Sequence, residues 1–192
     1  MIREHLKERD VPESAAVIVA EEDNFAYFLL YNLSGKIVGL QRYNPDGYKD
    51  RSKHYREIRH LGSLDESQLK YLTKVTRENV ERNVPQLAVY GLHTLDERKF
   101  VFVVEGIFDA VKLESVGMPV IAVLTNAPKK FRNFFFVLQK TTIVWRDNDK
   151  ASEEMKQIAD VSVITPPPYK DLGEMPLEQV KAWAEYILWS IK

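Results

Sequence analysis

Cysteine is absent from the 192 residues, and that absence removes several chemistries together. A disulfide framework, a thiolate zinc site and a cysteine nucleophile are all excluded, and the zero is compatible with a reducing cytoplasm. Histidine is scarce: His5, His54, His60 and His93 show no metal-ligand spacing and read as structural or solvated side chains. Long apolar runs are missing too. None approaches the roughly 20 residues that a membrane helix needs, and no amino-terminal stretch joins a basic start to a long apolar core. A soluble, cytoplasmic protein without membrane association is therefore expected. The net charge of -1 lacks the overall basic signature of a tight nucleic-acid binder.

What is present supports a folded domain. A hydrophobic content of 45% supplies a core for one ordinary domain or a compact domain with a small appendage. Charge is unevenly spread. Arg42, Lys49, Arg51, Lys53, His54, Arg56 and Arg59 fall among Tyr43, Tyr48 and Tyr55, a pattern that can track a phosphate backbone or hold nucleoside triphosphates. A solvated hairpin tip explains the charge equally well.

The first 13 residues read as a charged helix or arm without a motif. Ala15 to Ala20, Phe25 to Asn32 and Lys36 to Tyr43 then read as an antiparallel meander, each run closed by a turn signal such as Ser34-Gly35 or Asn44-Pro45-Asp46-Gly47. Leu69, Leu72, Val75, Thr76 and Val80 predict a helix over 64–83 that ends before Pro85. After Leu87 to Leu92 the pattern alternates: strands at 100–104, 119–124, 141–146 and 161–164, with helices near 107–116, 128–139 and 150–159. Such alternation predicts a parallel sheet with right-handed crossovers. An amphipathic helix over 177–191, carrying Trp183 and Trp189, closes the chain.

Two apolar runs end in acids. Phe100 to Val104 is continuous, β-branched and aromatic, which suits a strand covered on both faces, so Glu105 emerges at the carboxyl edge, where open α/β sheets bind ligands. Asp147 and Asp149 follow the run Thr142 to Trp145 and, two apart on extended backbone, share a side. Carboxylates that close call for a cation, and oxygen donors without Cys or His favour Mg²⁺ or Mn²⁺. Asp109, in the first turn after Gly106, reads equally as a metal-site acid or as a partner of the positive helix end.

Glu105-Gly106-Ile107-Phe108-Asp109-Ala110 and Asp147-Asn148-Asp149-Lys150-Ala151, with Val120 to Asn126 between them and Tyr169 to Glu174 after them, resemble the toprim domain of bacterial and phage-type DNA primases. Upstream, Gly35 to Tyr43 with Pro45-Asp46-Gly47 and Lys49 is similar to the strand and basic turn of the primase polymerase core, so the resemblance spans about residues 25–175. It implies an α/β fold, α+β overall: a mostly parallel toprim sheet flanked by helices over 96–174, preceded by a small antiparallel β-plus-helix subdomain over 1–95 and followed by a closing helix over 175–192. It further implies metal-dependent synthesis of short RNA primers on single-stranded DNA from ribonucleoside triphosphates, with a replicative helicase as a partner. Glu105, Asp147 and Asp149 become catalytic metal ligands, Asp109 and Asp171 supporting acids, and Arg42, Lys49 and Lys53 the nucleotide or template contacts.

Departures from the family pattern keep two alternatives open. The second acid after Lys170-Asp171 falls on Gly173, so Glu174 substitutes or the ligand is missing; Ser152 replaces a usual Gly, and Thr125-Asn126 a Gly-containing turn. Neither a zinc ribbon nor a Gly-x-x-x-x-Gly-Lys-Ser/Thr helicase loop is present. A toprim nuclease hydrolysing phosphodiesters and a catalytically degenerate primase-fold protein binding nucleic acid or replisome partners are the alternatives.

Overall fold

The computed structural model describes residues 1–48, 66–75, 87–125 and 128–191. A short helix, α1 (Ile2–Glu8), buries Ile2 and Leu6 one turn apart. Strands β1 (Val17–Ala20), β2 (Phe25–Tyr31), β3 (Ile37–Tyr43) and β4 (Tyr71–Val75) follow, forming one antiparallel sheet in the order β1-β2-β3-β4. In β2, Ala26, Phe28 and Leu30 are buried and alternate with half-exposed residues, the period of a strand with one covered face. Register places Tyr43 and then Tyr71 beside Ala26, and Gln41 and then Thr73 beside Phe28, so these side chains share the covered face.

The helix predicted over 64–83 is corrected by β4. A 3-10 turn covers Glu66–Gln68, and Tyr71–Val75 is extended and paired with Gly39–Tyr43; residues 76–83 lie outside the described residues. Leu69, Leu72 and Val75 do recur at helical spacing, but Tyr71, Thr73 and Val75 also alternate, and β3 offers an open edge that pairing satisfies. Gly39 makes the pairing possible at that point, because a Cβ there would collide with the Lys74 carbonyl oxygen.

The second half alternates as expected: β5 (Phe100–Val104), α2 (Ile107–Ser115), β6 (Val120–Ala122), a 3-10 turn (Pro128–Phe131) running into α3 (Arg132–Leu138), β7 (Thr141–Arg146), β8 (Val161–Ile164) and the closing helix α4 (Leu177–Ser190). Its strands are all parallel, in the order β6-β5-β7-β8. Between β7 and β8, Ala151–Ile158 winds as 3-10 turns instead of the expected α-helix. Phe102, Val104, Ile143 and Trp145 pack on α2, α4 and the antiparallel sheet. Val101, Val103 and Val144 face the other way, onto Phe131, Phe134, Phe135, Met155 and Ile158. Covering both faces is what the continuous apolar run of β5 requires, each such side chain contributing about 1.5–3 kcal/mol on burial.

The two sheets are joined by one dipeptide. Val89 exchanges backbone hydrogen bonds with Tyr31 of β2 (2.8 and 3.0 Å), and Tyr90 exchanges them with Ala122 of β6 (3.1 and 3.0 Å). Gly91 then turns the chain at φ 94°, and a Cβ on it would collide with the Val120 carbonyl oxygen. Gly91→Ala therefore meets both backbone strain and a clash with main chain, and is expected to cost about 2–4 kcal/mol. Chemical denaturation should show the loss as a lower midpoint; an unchanged midpoint would mean that the junction is not under this constraint.

Candidate functional site

The carboxyl edge of the parallel sheet meets the covered face of the antiparallel sheet in a cleft of about 610 Å³. Glu105 enters it at the end of β5, Asp109 from the first turn of α2, Asp147 just beyond β7, and Asp171 from the loop after β8. The opposite wall holds Gln41 of β3, Lys70 and Tyr71 beside β4, and Arg9 from the end of α1. Lys170 is the third cation of the lining.

Asp109 is held through one oxygen, and the other occupies space left free by the glycine at 106. Oδ1 accepts the Gly173 N–H at 2.9 Å, and Oδ2 lies 2.8 Å from where a Cβ on Gly106 would stand. The Glu105-Gly106 turn thus needs its glycine for the carboxylate to fold back toward the strand end. Burial, then the charges of Asp147 and Asp171, push the Asp109 carboxyl up to about 8, against the opposing Gly173 hydrogen bond and the Arg9 charge. Asp147 is pushed up to about 7 by burial, then by Asp171, Glu105 and Asp149, with Lys170 opposing. Tyr71, facing the same acids, is raised to about 12, mainly by burial.

The expected residues are only partly gathered. Glu105, Asp109, Asp147 and Asp171 share the cleft. Asp149 does not line it: exposed in the loop, it accepts the Ser152 N–H at 2.9 Å beside the start of the following 3-10 turns. Asp171 caps a short turn, accepting from Glu174 N at 3.1 Å. Arg42 sits on the other face of β3, its guanidinium over the Phe25 ring and hydrogen-bonded to the Glu66 carbonyl; the strand alternation that sends Gln41 into the cleft sends Arg42 out of it. Lys49 and Lys53 lie outside the described residues. Among the described residues, no three His, Asp or Glu side chains stand close enough to enclose one metal ion.

The departures acquire physical reasons. The Ser152 hydroxyl lies 2.8 Å from the Asp147 carbonyl and 2.9 Å from the Asp149 carbonyl, so a buried side chain ties together the loop carrying both acids. Gly173 sits where a Cβ would come 3.0 Å from Asp171 Oδ1 and 3.6 Å from Asp109 Oδ1. Glu174 reaches the cleft rim, but its carboxylate accepts the Lys170 N–H at 2.8 Å. Of Thr125-Asn126, only Thr125 is among the described residues.

Sequence reasoning missed Arg9, Lys70, Tyr71 and Gln41. Arg9 follows the apolar pair Ile2 and Leu6, its guanidinium 4.3 Å above the Phe108 ring. The pair signals a docked helix, but nothing local says that the docking delivers a cation to the acids.

No protein-family model and no curated protein matches the sequence. Solved structures do match. The primase fragment of the bacteriophage T7 primase-helicase protein aligns over 88% of this chain and 63% of its own, at a TM-score of 0.55 and 17% identity. The Aquifex aeolicus primase, with zinc-binding and RNA polymerase domains, aligns over 86% of this chain and 40% of its own, at 0.58 and 20%. A DnaG primase catalytic domain bound to ssDNA aligns over 96% of this chain and 58% of its own, at 0.54 and 17%. The fold is that of a primase catalytic core. At these identities the likeness is one of fold, and the chain spans less than two thirds of each of these three proteins. No helix among the described residues is long and apolar enough to cross a membrane.

The raised carboxyls set a pH dependence on this primase fold. Asp109 and Asp147 hold protons in the native state that an unfolded carboxyl, with a pKa near 4, has already released. Their contribution to stability is complete below about pH 4 and is lost as pH rises through about 7 and 8. Without divalent cation, the melting temperature is expected to fall between pH 5 and 8.5. Asp147→Asn should flatten that fall and raise the pH 8.5 value by several degrees, about 2–4 °C per kcal/mol for a chain of this size. Equal slopes in wild type and variant would contradict the assignment.

Proposed function

We propose that the chain is the catalytic core of a primase-like nucleotidyltransferase, making short RNA primers on single-stranded DNA. The observation that carries this reading is the cleft itself, where acids on the ends of parallel strands face cations and a tyrosine from a second subdomain. The primase fold supports it. In this reading residues 1–95 supply the template and nucleotide wall, residues 96–174 the acidic wall, and residues 175–192 the closing helix.

The donor chemistry suits a hard divalent cation: the candidate ligands are carboxylates alone, two of them raised in pKa by burial and then by neighbouring carboxylates. Glu105 and Asp147 would hold Mg²⁺ or Mn²⁺, with Asp109 and Asp171 in support and Asp149 brought in by movement of its loop. When bound there, such an ion would supply charge stabilisation for a 3′-hydroxyl nucleophile and a pyrophosphate leaving group. Arg9, Lys70 and Lys170 take the place first given to Arg42 and bind triphosphate oxygens; Arg9 and Lys170 also moderate the acids by their charge. Gly173 N–H and the Gly106 turn orient Asp109, and the Ser152 hydroxyl holds the loop of Asp147. Ribonucleoside triphosphates, single-stranded DNA and a replicative helicase are the partners that this reading requires.

One set of contacts favours the degenerate alternative: Asp149 and Asp171 are engaged by main-chain N–H groups, and a glycine occupies position 173. A protein of that kind binds nucleic acid without turnover.

Labelled ribonucleotides, single-stranded DNA and Mg²⁺ or Mn²⁺ separate the readings, since extended primers, cut template and neither product are distinct outcomes. Glu105→Gln, Asp147→Asn and Asp149→Asn are each expected to abolish primer formation with the fold retained. Arg9→Ala and Lys170→Ala should raise the nucleotide KM about tenfold or more, as loss of a charge-assisted phosphate contact does, whereas Arg42→Ala should lower stability and leave KM unchanged. Full activity in all three acid variants at saturating Mg²⁺ would refute the assignment.

A further inference from the structure

The segment from Pro128 to Lys140 reads Pro-Lys-Lys-Phe-Arg-Asn-Phe-Phe-Phe-Val-Leu-Gln-Lys, with Lys129, Lys130, Arg132 and Lys140 as cations and no acid. It is folded as the 3-10 turn and α3, on the face of the parallel sheet opposite α2 and α4. Phe131, Phe134 and Phe135 are buried there, but Phe136 is 83% exposed and its neighbour Val137 59% exposed. Lys129, Lys130, Arg132 and Asn133 are exposed too. Arg132 and Asn133 precede Phe136 by one helical turn and share its face, with the two lysines one turn further back.

Phe136 stands at the mouth of a groove of about 340 Å³, floored by Phe135, Ile158 and Ala159 and edged by Arg132, Gln157 and Asp160. Arg132 is braced, its Nε donating to the Gln157 carbonyl at 3.1 Å. Asp160 accepts the Thr142 N–H at 2.7 Å. Lys140 also lines the groove, its Nζ turned onto the carbonyls of Asp96 and Arg98. The volume falls at the small end of ligand pockets, and polar groups make up more of the lining than apolar ones.

We infer that this flank is a second contact for single-stranded nucleic acid, outside the carboxylate cleft. An unstacked base covers Phe136 at the mouth of the groove, while its flanking phosphates meet Lys129, Lys130 and Arg132. An aromatic face beside exposed cations is the pairing that sequence-tolerant strand binding uses. An acidic peptide would meet the same cations, but Asp160 at the groove edge repels a carboxylate from the seat that a neutral base can fill. The strand would leave the cleft at the carboxyl edge, where Leu124 lines it, and run along α3. The inference rests on the proposed function only in taking single-stranded nucleic acid as ligand.

The test is anisotropy of a labelled oligodeoxynucleotide across a salt series, for wild type, Phe136→Ala and the double variant Lys129→Gln/Lys130→Gln. Phe136→Ala should weaken binding about tenfold with the salt slope unchanged. The double variant should lower the log–log slope by roughly 1.4, about 0.7 for each phosphate contact. All three side chains are exposed, so circular dichroism and melting temperature should stay at wild-type values. Wild-type affinity in Phe136→Ala overturns the inference, and so does a poly-Glu peptide that binds wild type and not Phe136→Ala while the oligonucleotide binds both alike. If primers form but Phe136→Ala binds as wild type, only this inference fails. If no product forms but Phe136→Ala still weakens binding, the flank stands and the catalytic reading falls.

Discussion

The backbone pairing made by Val89 and Tyr90 is the constraint on which the rest of the molecule depends. One residue extends the antiparallel sheet and the next extends the parallel one, so two sheets of different construction are held edge to edge. Each pair satisfies buried main-chain groups that would otherwise be costly to leave unpaired. The tie also aims the surfaces. It sets the covered face of β2 and β3 against α2, where Phe28 and Tyr43 both pack edge-on to Phe108, and leaves open only the gap above the strand ends. Side chains support the same junction: the Tyr90 hydroxyl donates to Glu114 at 2.8 Å, and the Ser14 hydroxyl reaches that carboxylate at 2.9 Å.

Within that gap, main-chain N–H groups offset part of the repulsion among acids by bonding to Asp109 and Asp171. Asp109 is held by the Gly173 N–H, its other oxygen lying where Gly106 leaves room for it. The acids are therefore placed by backbone geometry, and their mutual destabilisation is offset by packing elsewhere. Such strain is common where a site is organised for a ligand of opposite charge.

The parallel half was legible because its signals are local: Phe100–Val104 is a continuous apolar run, and each acid follows directly from a strand end. The same logic placed Glu105 and Asp147 together, and Asp109 above them. It failed where partners distant in sequence decide. Tyr71–Val75 carries both helical and alternating patterns, and only the open edge of β3 selects one. Asp149 shares a strand-like spacing with Asp147, yet the chain leaves extended conformation at Arg146, so the two-residue rule no longer applies. Arg42 fell on the wrong side of β3 because parity along a strand needs a register that the sequence does not state. Arg9 was invisible, since its role arises from docking and not from any neighbour in the chain.

Arg9 follows the first helix and Asp171 lies in the loop before the last, and both border the space that a side chain on Gly173 would fill. The cleft is thus lined by segments far apart in the sequence. A contact so distant along the chain carries a large loop-closure entropy and belongs among the last to form. Assembly of the acidic and basic walls is consequently coupled to the pairing of distant segments: a partly folded molecule exposes carboxylates without their counter-charges, and a ribosome-bound chain acquires the paired site only after the loop carrying Asp171 has emerged.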